Sequence, residues 1–349
     1  MGEKMQALVF HGPGNLKLDD VEKPKAKAGE IIIEVKAAGV CASDLRVFKG
    51  ERSAKEGIIL GHEVVGTIAE VGLGADGFHE GERVTLYPVV SCGLCFFCRE
   101  GYPSICPDKR LFGFEYDGAF ADYMRIPREV VGRGNVLKVP ETISNEEAAL
   151  TEPLACSING IETLRLQVGE TLLIVGAGPM GLLAMKVAKA SGAGRIIVSE
   201  LRKDRLEAAR AMGADAVVNP KDEDLASRVK GETDGLGADA ALVSIGSPAA
   251  ALDALRAVRK GGRINFFAGF PPATVIALDP NLIHYGLVTI TASQNSTLTQ
   301  FKRALTIMET HRVELKDIVT HRYLLKDALK AFEGRLSLEG LKYELFPRF

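Results

Sequence analysis

Leu172-Leu-Ile-Val-Gly-Ala-Gly-Pro-Met-Gly181 is the stretch that decides the fold of this 349-residue chain. Its first four residues form a short apolar run typical of a buried strand, and its glycines mark a tight turn. A helix is predicted directly after the turn, over about 180–190. Strands and helices then alternate, with strands predicted at 196–198, 216–218, 240–243 and 263–267 and helices at 203–212 and 249–258. Repeated βα units of this kind force a parallel sheet that is covered on both faces.

The glycines of this turn are typical of a dinucleotide site. Side chains there would block the turn, the approach of a pyrophosphate to backbone N–H groups, and the packing of helix on strand. Glu200 ends the next strand nineteen residues beyond Gly181, near the spacing expected for an acid that binds the ribose. The predicted nucleotide-binding residues are Gly176, Gly178, Pro179, Met180, Gly181, Glu200 and Arg205.

The charge of Glu200 also bears on the choice of nucleotide. A carboxylate that accepts hydrogen bonds from the 2′-hydroxyl repels a 2′-phosphate, so NAD is predicted and NADP is disfavoured. Arg202 and Lys203 follow closely and weaken that preference. The alternative for Glu200 is a solvated carboxylate at the end of a strand.

Four cysteines, Cys92, Cys95, Cys98 and Cys106, are concentrated in one short stretch. Two-residue gaps let successive thiolates face one centre, and four soft ligands suit tetrahedral zinc. A site filled by four cysteines has no open position, so this zinc is expected to brace a loop rather than to catalyse. The alternative is an ordinary loop with reduced or disulfide-paired cysteines.

Composition excludes several classes of protein. The chain has 43 basic and 45 acidic residues. Its net charge of −2 therefore gives no excess of positive charge that would attract nucleic acid or an anionic membrane. Six cysteines are too few for a secreted disulfide scaffold. The first residues show no export pattern, and the apolar stretch 172–188 is interrupted by glycines, a proline and a lysine. We therefore expect a soluble cytoplasmic protein without nucleic-acid or membrane partners.

The motifs along almost the whole chain resemble those of the zinc-dependent medium-chain dehydrogenase/reductase superfamily, in its sorbitol and threonine dehydrogenase branch. They are Gly39-Val-Cys-Ala-Ser-Asp44, Gly61-His-Glu63, the four-cysteine lobe, Gly118-Ala-Phe-Ala-Asp-Tyr123, Glu152-Pro-Leu154, the glycine turn and Ala331-Phe-Glu333.

The resemblance implies an α/β protein in which a Rossmann doubly wound parallel sheet is inserted in a mostly β, GroES-like catalytic domain. The expected boundaries are 1–154 for the catalytic domain with a zinc lobe at 88–110, 155–290 for the Rossmann domain, and 291–349 for the rest of the catalytic domain. Members of the family are usually homodimers or homotetramers, and the sequence does not choose between these states.

The resemblance further implies a second, catalytic zinc. Cys41 and His62 would ligate it, with Glu63 or Glu152 as a further ligand, and each of these acids has the alternative of being only a buried, hydrogen-bonded carboxyl. Ser43 would pass the substrate proton outward, and Asp44 would fix the tautomer of His62. A serine and an aspartate side by side are also common in turns and helix caps.

One position departs from the family pattern. Many relatives have a proton-relaying histidine where this chain has Arg46, and a guanidinium does not shuttle protons at neutral pH. Arg46 is instead interpreted as a contact for the cofactor phosphates or an anionic substrate, or as a surface residue.

The function that follows is hydride transfer from a secondary alcohol, namely a polyol, sugar alcohol or sugar derivative, to NAD. Asn295-Ser296 stand where sorbitol dehydrogenases carry an Arg-Tyr pair, which disfavours sorbitol itself. The alternatives are a threonine-type enzyme acting on a 3-hydroxy amino acid and a non-catalytic NAD-binding structural or sensor protein. A zinc-free quinone reductase is disfavoured by Cys41, Ser43, His62 and Glu152.

Overall fold

The structure is a computed structural model that describes residues 2–348. The chain divides into two compact units. Unit 1 comprises Met1–Glu152 and Thr297–Phe349, and unit 2 comprises Pro153–Ser296. Within the described residues, no helix combines the length and apolar character that a membrane crossing requires.

The strands and helices have the following bounds. The strands are β1 (Lys4–Phe10), β2 (Leu16–Glu22), β3 (Ile31–Gly39), β4 (Ile58–Ile59), β5 (Glu63–Val71), β6 (Arg83–Leu86), β7 (Val89–Val90), β8 (Arg110–Leu111), β9 (Tyr123–Ile126), β10 (Val136–Lys138), β11 (Thr171–Val175), β12 (Arg195–Ser199), β13 (Ala216–Val218), β14 (Ala238–Val243), β15 (Val258–Phe266), β16 (Thr289–Ala292), β17 (Val319–Leu324) and β18 (Lys342–Phe346). The helices are α1 (Ala42–Phe48), α2 (Phe96–Arg99), α3 (Arg128–Gly132), α4 (Asn145–Ala149), α5 (Thr151–Thr163), α6 (Pro179–Ala190), α7 (Lys203–Ala211), α8 (Leu225–Gly231), α9 (Pro248–Ala257), α10 (Pro280–His284), α11 (Leu298–Glu309) and α12 (Ala328–Leu336).

Unit 1 is built around a sheet with the strand order β10-β6-β5-β3-β18-β17, and β9 also pairs with β3. The β-branched run Ile31-Ile-Ile33 suits this central strand and is fully buried. β18 pairs antiparallel with β3 and parallel with β17, so strands from the C-terminal segment of unit 1 join the sheet that contains β3. Smaller sheets, β2-β1-β4 and β7-β8, flank it.

Unit 2 contains a sheet whose strands are all parallel, in the order β13-β12-β11-β14-β15-β16. Numbered within the unit, this order is 3-2-1-4-5-6, the doubly wound arrangement of dinucleotide-binding folds. Leu172, Leu173 and Ile174 are all fully buried, as expected for a strand covered on both faces. The predicted α/β class with a doubly wound parallel sheet is confirmed.

The chain order reverses between β11 and β14, which pair with each other. Open parallel sheets bind ligands beyond the carboxyl ends of the strands at such a reversal. The glycine turn follows β11 directly, so the fold places the predicted nucleotide site at this position.

Candidate metal and nucleotide sites

The four-cysteine lobe brings its sulfur atoms together. All four Sγ atoms lie within 4.8 Å of one another, with Cys92 4.0 Å from Cys98 and Cys95 3.8 Å from Cys106. Four thiolates bound to zinc at about 2.3 Å stand about 3.8 Å apart at the corners of a tetrahedron. The donors therefore fit a closed zinc site.

Backbone N–H groups in this lobe stabilise negative charge on the cysteine sulfur atoms. Cys92 Sγ accepts hydrogen bonds from the N–H groups of Leu94 and Cys95, at 3.4 and 3.3 Å, and these bonds lower the pKa of Cys92 to about 6. The backbone N–H of Cys98 also favours the Cys95 thiolate, but burial and the other three thiols outweigh it and raise the pKa of Cys95 to about 11. A bound cation would offset the repulsion among the thiolates and favour their deprotonation.

A second donor group lies in unit 1, where Cys41, His62 and Glu63 each offer an atom within 4.8 Å of the others. Cys41 is the N-cap residue of α1, Glu63 is the first residue of β5, and His62 directly precedes that strand. His62 and Glu63 are buried and Cys41 is half-buried. One sulfur, one nitrogen and one oxygen donor suit zinc and leave a fourth position open, so this set fits a catalytic site.

Asp44 performs two tasks beside this group. Its Oδ2 atom accepts a hydrogen bond from the Cys41 N–H at 2.9 Å, which caps α1, and its Oδ1 atom lies 3.4 Å from His62 Nδ1. The opposite nitrogen, Nε2, lies 3.5 Å from Ser43 Oγ. Burial disfavours the charged imidazole, but Asp44 and Cys41 outweigh burial and raise the pKa of His62 well above its ordinary value.

Lys342, which no sequence motif indicated, pairs with Glu63. Its Nζ atom donates to Glu63 Oε1 at 2.6 Å and also contacts Oε2, and both side chains are almost fully buried, at 4% and 1% exposure. Glu63 reaches it across Gly39, where a Cβ atom would lie 2.0 Å from Glu63 Oε2. Burial disfavours the ammonium, but Glu63 and Cys41 outweigh burial and raise the pKa of Lys342.

Two more buried ionisable residues surround this pair. Glu344, fully buried, faces Gly39 across the β18–β3 pairing, and burial followed by the charge of Glu146 raises its pKa well above the ordinary value. Burial lowers the pKa of Arg335, against the charges of Cys41 and Glu63. The site thus combines buried acids and cations from two parts of the sequence that are far apart. These residues meet only in the folded chain, so sequence motifs do not show that they are neighbours.

Two further predicted residues, Glu152 and Arg46, are not members of the donor group. Glu152 lies in the first turn of α5 and is not one of the residues whose donor atoms come together with Cys41. Arg46 Nε lies 3.8 Å from Glu51 Oε2, with both side chains about half exposed. Glu152 as a ligand remains a prediction.

The glycine turn of unit 2 has the form expected for a pyrophosphate site. Gly176 has φ +103°, which only glycine adopts readily, and it directly follows β11. Gly178 is the N-cap residue of α6, and Pro179, Met180 and Gly181 form the first turn of that helix. Its N–H groups and helix dipole favour an anion at this end.

Glu200 directly follows β12 and lies beside this turn. Its Oε2 atom accepts a hydrogen bond from the Ala177 N–H at 3.0 Å, and its Oε1 atom accepts from Leu201 and Arg202 N–H groups at 2.7 and 3.1 Å. Arg205 Nη1 lies 4.0 Å from Glu200 Oε2. The structure therefore places the predicted acid and the predicted arginine next to the glycine turn.

Two family models match the chain. Residues 27–141 match the alcohol dehydrogenase GroES-like domain, and residues 179–310 match the zinc-binding dehydrogenase domain. Together they cover both units and more than half of the sequence.

Individual relatives match over nearly the full length. A sorbitol dehydrogenase of Bacillus subtilis is 35% identical over 352 residues, covering 99% of this chain and 98% of that protein. An L-threonine 3-dehydrogenase of Pyrococcus horikoshii is 36% identical over 329 residues, covering 93% and 92%. A zinc-binding dehydrogenase structure from Sinorhizobium meliloti, bound to NADP, superposes with a TM-score of 0.93 at 26% identity and covers 99% of this chain and all of its own.

Proposed function

Because this chain belongs to the zinc-dependent medium-chain alcohol dehydrogenases, we propose that it oxidises a secondary alcohol, namely a polyol, sugar alcohol or sugar derivative, with NAD as the hydride acceptor. The observation that carries this proposal is the group of Cys41, His62 and Glu63. These residues would hold a catalytic zinc with one position open for the substrate oxygen. When bound, zinc lowers the pKa of an alcohol oxygen placed there and so favours loss of its proton.

Side chains beside the donor group would assist proton transfer. Ser43, 3.5 Å from His62 Nε2, is placed to accept the hydroxyl proton. Asp44 contacts the other ring nitrogen, Nδ1, and so holds the imidazole with Nε2 toward the donor group. Glu63 supplies negative charge, while Lys342 and Arg335 offset it in a buried setting. The four-cysteine lobe would hold a second, structural zinc.

The nucleotide is proposed to bind unit 2. The N–H groups after β11 would receive the pyrophosphate, Glu200 the ribose hydroxyls, and Arg205 the adjacent negative charge. Glu200 favours NAD over NADP, and its hydrogen bonds to three backbone N–H groups hold the carboxylate at this place.

A cytoplasmic homo-oligomer, dimer or tetramer, is proposed for the assembled protein. Support comes from the six cysteines, none of which forms a disulfide, and from exposed apolar side chains in the segment that precedes the edge strand β16 in sequence, namely Val275, Tyr285 and Leu287.

A threonine-type dehydrogenase is the second candidate, favoured by the relative from Pyrococcus horikoshii. Both candidates are tested by measuring NADH formation from D-sorbitol, erythritol, 2,3-butanediol and L-threonine with zinc-loaded protein. Turnover of a polyol or diol in preference to L-threonine supports the first proposal, and turnover of L-threonine alone supports the second. Absence of NADH formation in this panel and in a wider series of secondary alcohols would contradict both.

A further inference from the structure

A positively charged side chain stands beside the metal-ligand group of unit 1. The Cζ atom of Arg52 lies 3.8 Å from the ring centre of Phe114, and this ring centre lies 5.9 Å from that of His62. The guanidinium carbon is therefore within about 10 Å of the His62 ring centre, and the negative charges of Cys41 and Asp44 act on it.

Arg52 has no acidic partner within residues 2–348, because no carboxylate oxygen there lies within ion-pair distance of its guanidinium. The neighbouring acid, Glu51, is shared by Arg46 and Lys49, at 3.8 and 3.9 Å. Glu115, whose charge also acts on Arg52, uses its Oε2 atom to accept the Leu111 N–H at 2.7 Å.

A second cation reinforces the positive potential here. Burial, and after it the charge of Arg52, lowers the pKa of Lys109, whose Nζ atom donates to the Ser104 carbonyl at 2.5 Å. Like charges that act on each other in this way, with no carboxylate in ion-pair contact with Arg52 among residues 2–348, favour an incoming anion.

The N–H donors of the Arg52 guanidinium are available to a ligand. Its carbon lies over the Phe114 ring, and no side-chain hydrogen bond within residues 2–348 uses these donors. The edge of a guanidinium forms a fork that matches a planar carboxylate with two parallel hydrogen bonds. Burial lowers the pKa of Arg52, but a guanidinium still carries its charge at neutral pH.

We propose that the substrate is a polyhydroxy carboxylate, an acidic sugar derivative, and that Arg52 binds its carboxylate while the Cys41 group receives its hydroxyl. This inference rests on the proposed function, since it takes alcohol oxidation at the Cys41 group as given. Arg52 then selects the substrate class, whereas the zinc ligands serve the reaction common to all alcohols.

Matched pairs of alcohols test the inference. Steady-state kcat/KM is measured for D-sorbitol and D-gluconate, for erythritol and D-erythronate, and for L-threonine, with the parent, Arg52→Gln, Arg52→Lys and Arg133→Gln. Arg133 is an exposed arginine of unit 1 and serves as the control. We expect Arg52→Gln to lower kcat/KM about 30-fold for the carboxylates and less than about 3-fold for the neutral polyols. Arg52→Lys retains part of the activity because it keeps the charge but loses the fork.

Binding gives a second readout that does not depend on turnover. The zinc-loaded parent and Arg52→Gln are titrated calorimetrically with D-gluconate, D-erythronate and L-threonine. We expect Arg52→Gln to lower the affinity by about the same factor by which it lowers kcat/KM. An equal loss for neutral and acidic members of a pair would overturn the inference, as would unchanged kinetics in Arg52→Gln. A parent enzyme that prefers the neutral member of every pair would also overturn the inference, but the proposed function would stand. If the parent oxidises no alcohol, the proposed function fails and this inference fails with it.

Discussion

Replacing Lys342 by methionine removes the cation that neutralises Glu63 inside unit 1. Methionine keeps a similar length and an apolar stem, so the change deletes charge with little loss of volume. The two side chains are 4% and 1% exposed, so water does not take the place of the lost ammonium. Breaking such a buried pair from one side costs about 3–5 kcal/mol of unfolding free energy.

At about 2–4 °C per kcal/mol for a domain of the size of unit 1, we expect the melting temperature of the zinc-free Lys342→Met protein to fall by about 6–20 °C. The loss should be smaller in the zinc-loaded protein, because a metal ion beside Glu63 supplies a second countercharge. Glu63→Gln combined with Lys342→Met should recover most of the loss, since neither charge is then buried alone.

Calorimetric melts of the zinc-free and zinc-loaded forms measure these effects. Lys330→Met is the control, because it breaks the exposed pair with Asp327 and should leave the melting temperature almost unchanged. A Lys342→Met protein that melts with the parent would refute the reasoning, and an equal loss with and without zinc would show that Glu63 does not face the metal.

Three further predictions follow from single side chains. Cys98→Ala should lower zinc content by one ion per chain and reduce thermal stability, while the remaining zinc still supports alcohol oxidation; full zinc content in the variant, by metal analysis, would contradict the closed site. Glu200→Ala should weaken NAD binding more than NADP binding in fluorescence titrations, and an unchanged ratio of the two affinities would count against the ribose contact. Glu344→Gln should become increasingly more stable than the parent as pH rises above the ordinary glutamate pKa of 4.5, because the folded carboxyl keeps a proton that the unfolded chain releases. Urea unfolding at pH 4 to 9 measures this difference, and a difference independent of pH would mean that Glu344 titrates normally.

Local sequence was sufficient for the strand, turn and helix at the start of the parallel sheet of unit 2. An apolar run, a glycine turn and a helix follow one another within residues 172–190, and this order alone predicts β11 and α6. The helix begins at Pro179 rather than at Met180, since proline suits the first position of a helix. The helix α8 and the edge strand β16 were not predicted, because their mixed polar residues show neither helical nor strand periodicity clearly.

The candidate metal site could be predicted only in part. Cys41, Ser43, Asp44 and His62 were predicted because they belong to motifs. The Glu63–Lys342 pair joins residues 279 positions apart and depends on the register of β18 against β3. Arg52 and Phe114 likewise meet through loops that have no repeating pattern. Sequence patterns report local periodicity, whereas such contacts follow from strand register and loop conformation.

The measurement that tests the central claim most directly is zinc content per chain determined together with alcohol-dependent NADH formation, in the parent and in Cys41→Ala. We predict two zinc ions and activity in the parent, and one zinc ion, an unchanged fold and no activity in Cys41→Ala. Turnover by metal-free parent protein, or a Cys41→Ala variant that keeps both zinc ions and full activity, would contradict the assignment of Cys41, His62 and Glu63 as the catalytic metal site.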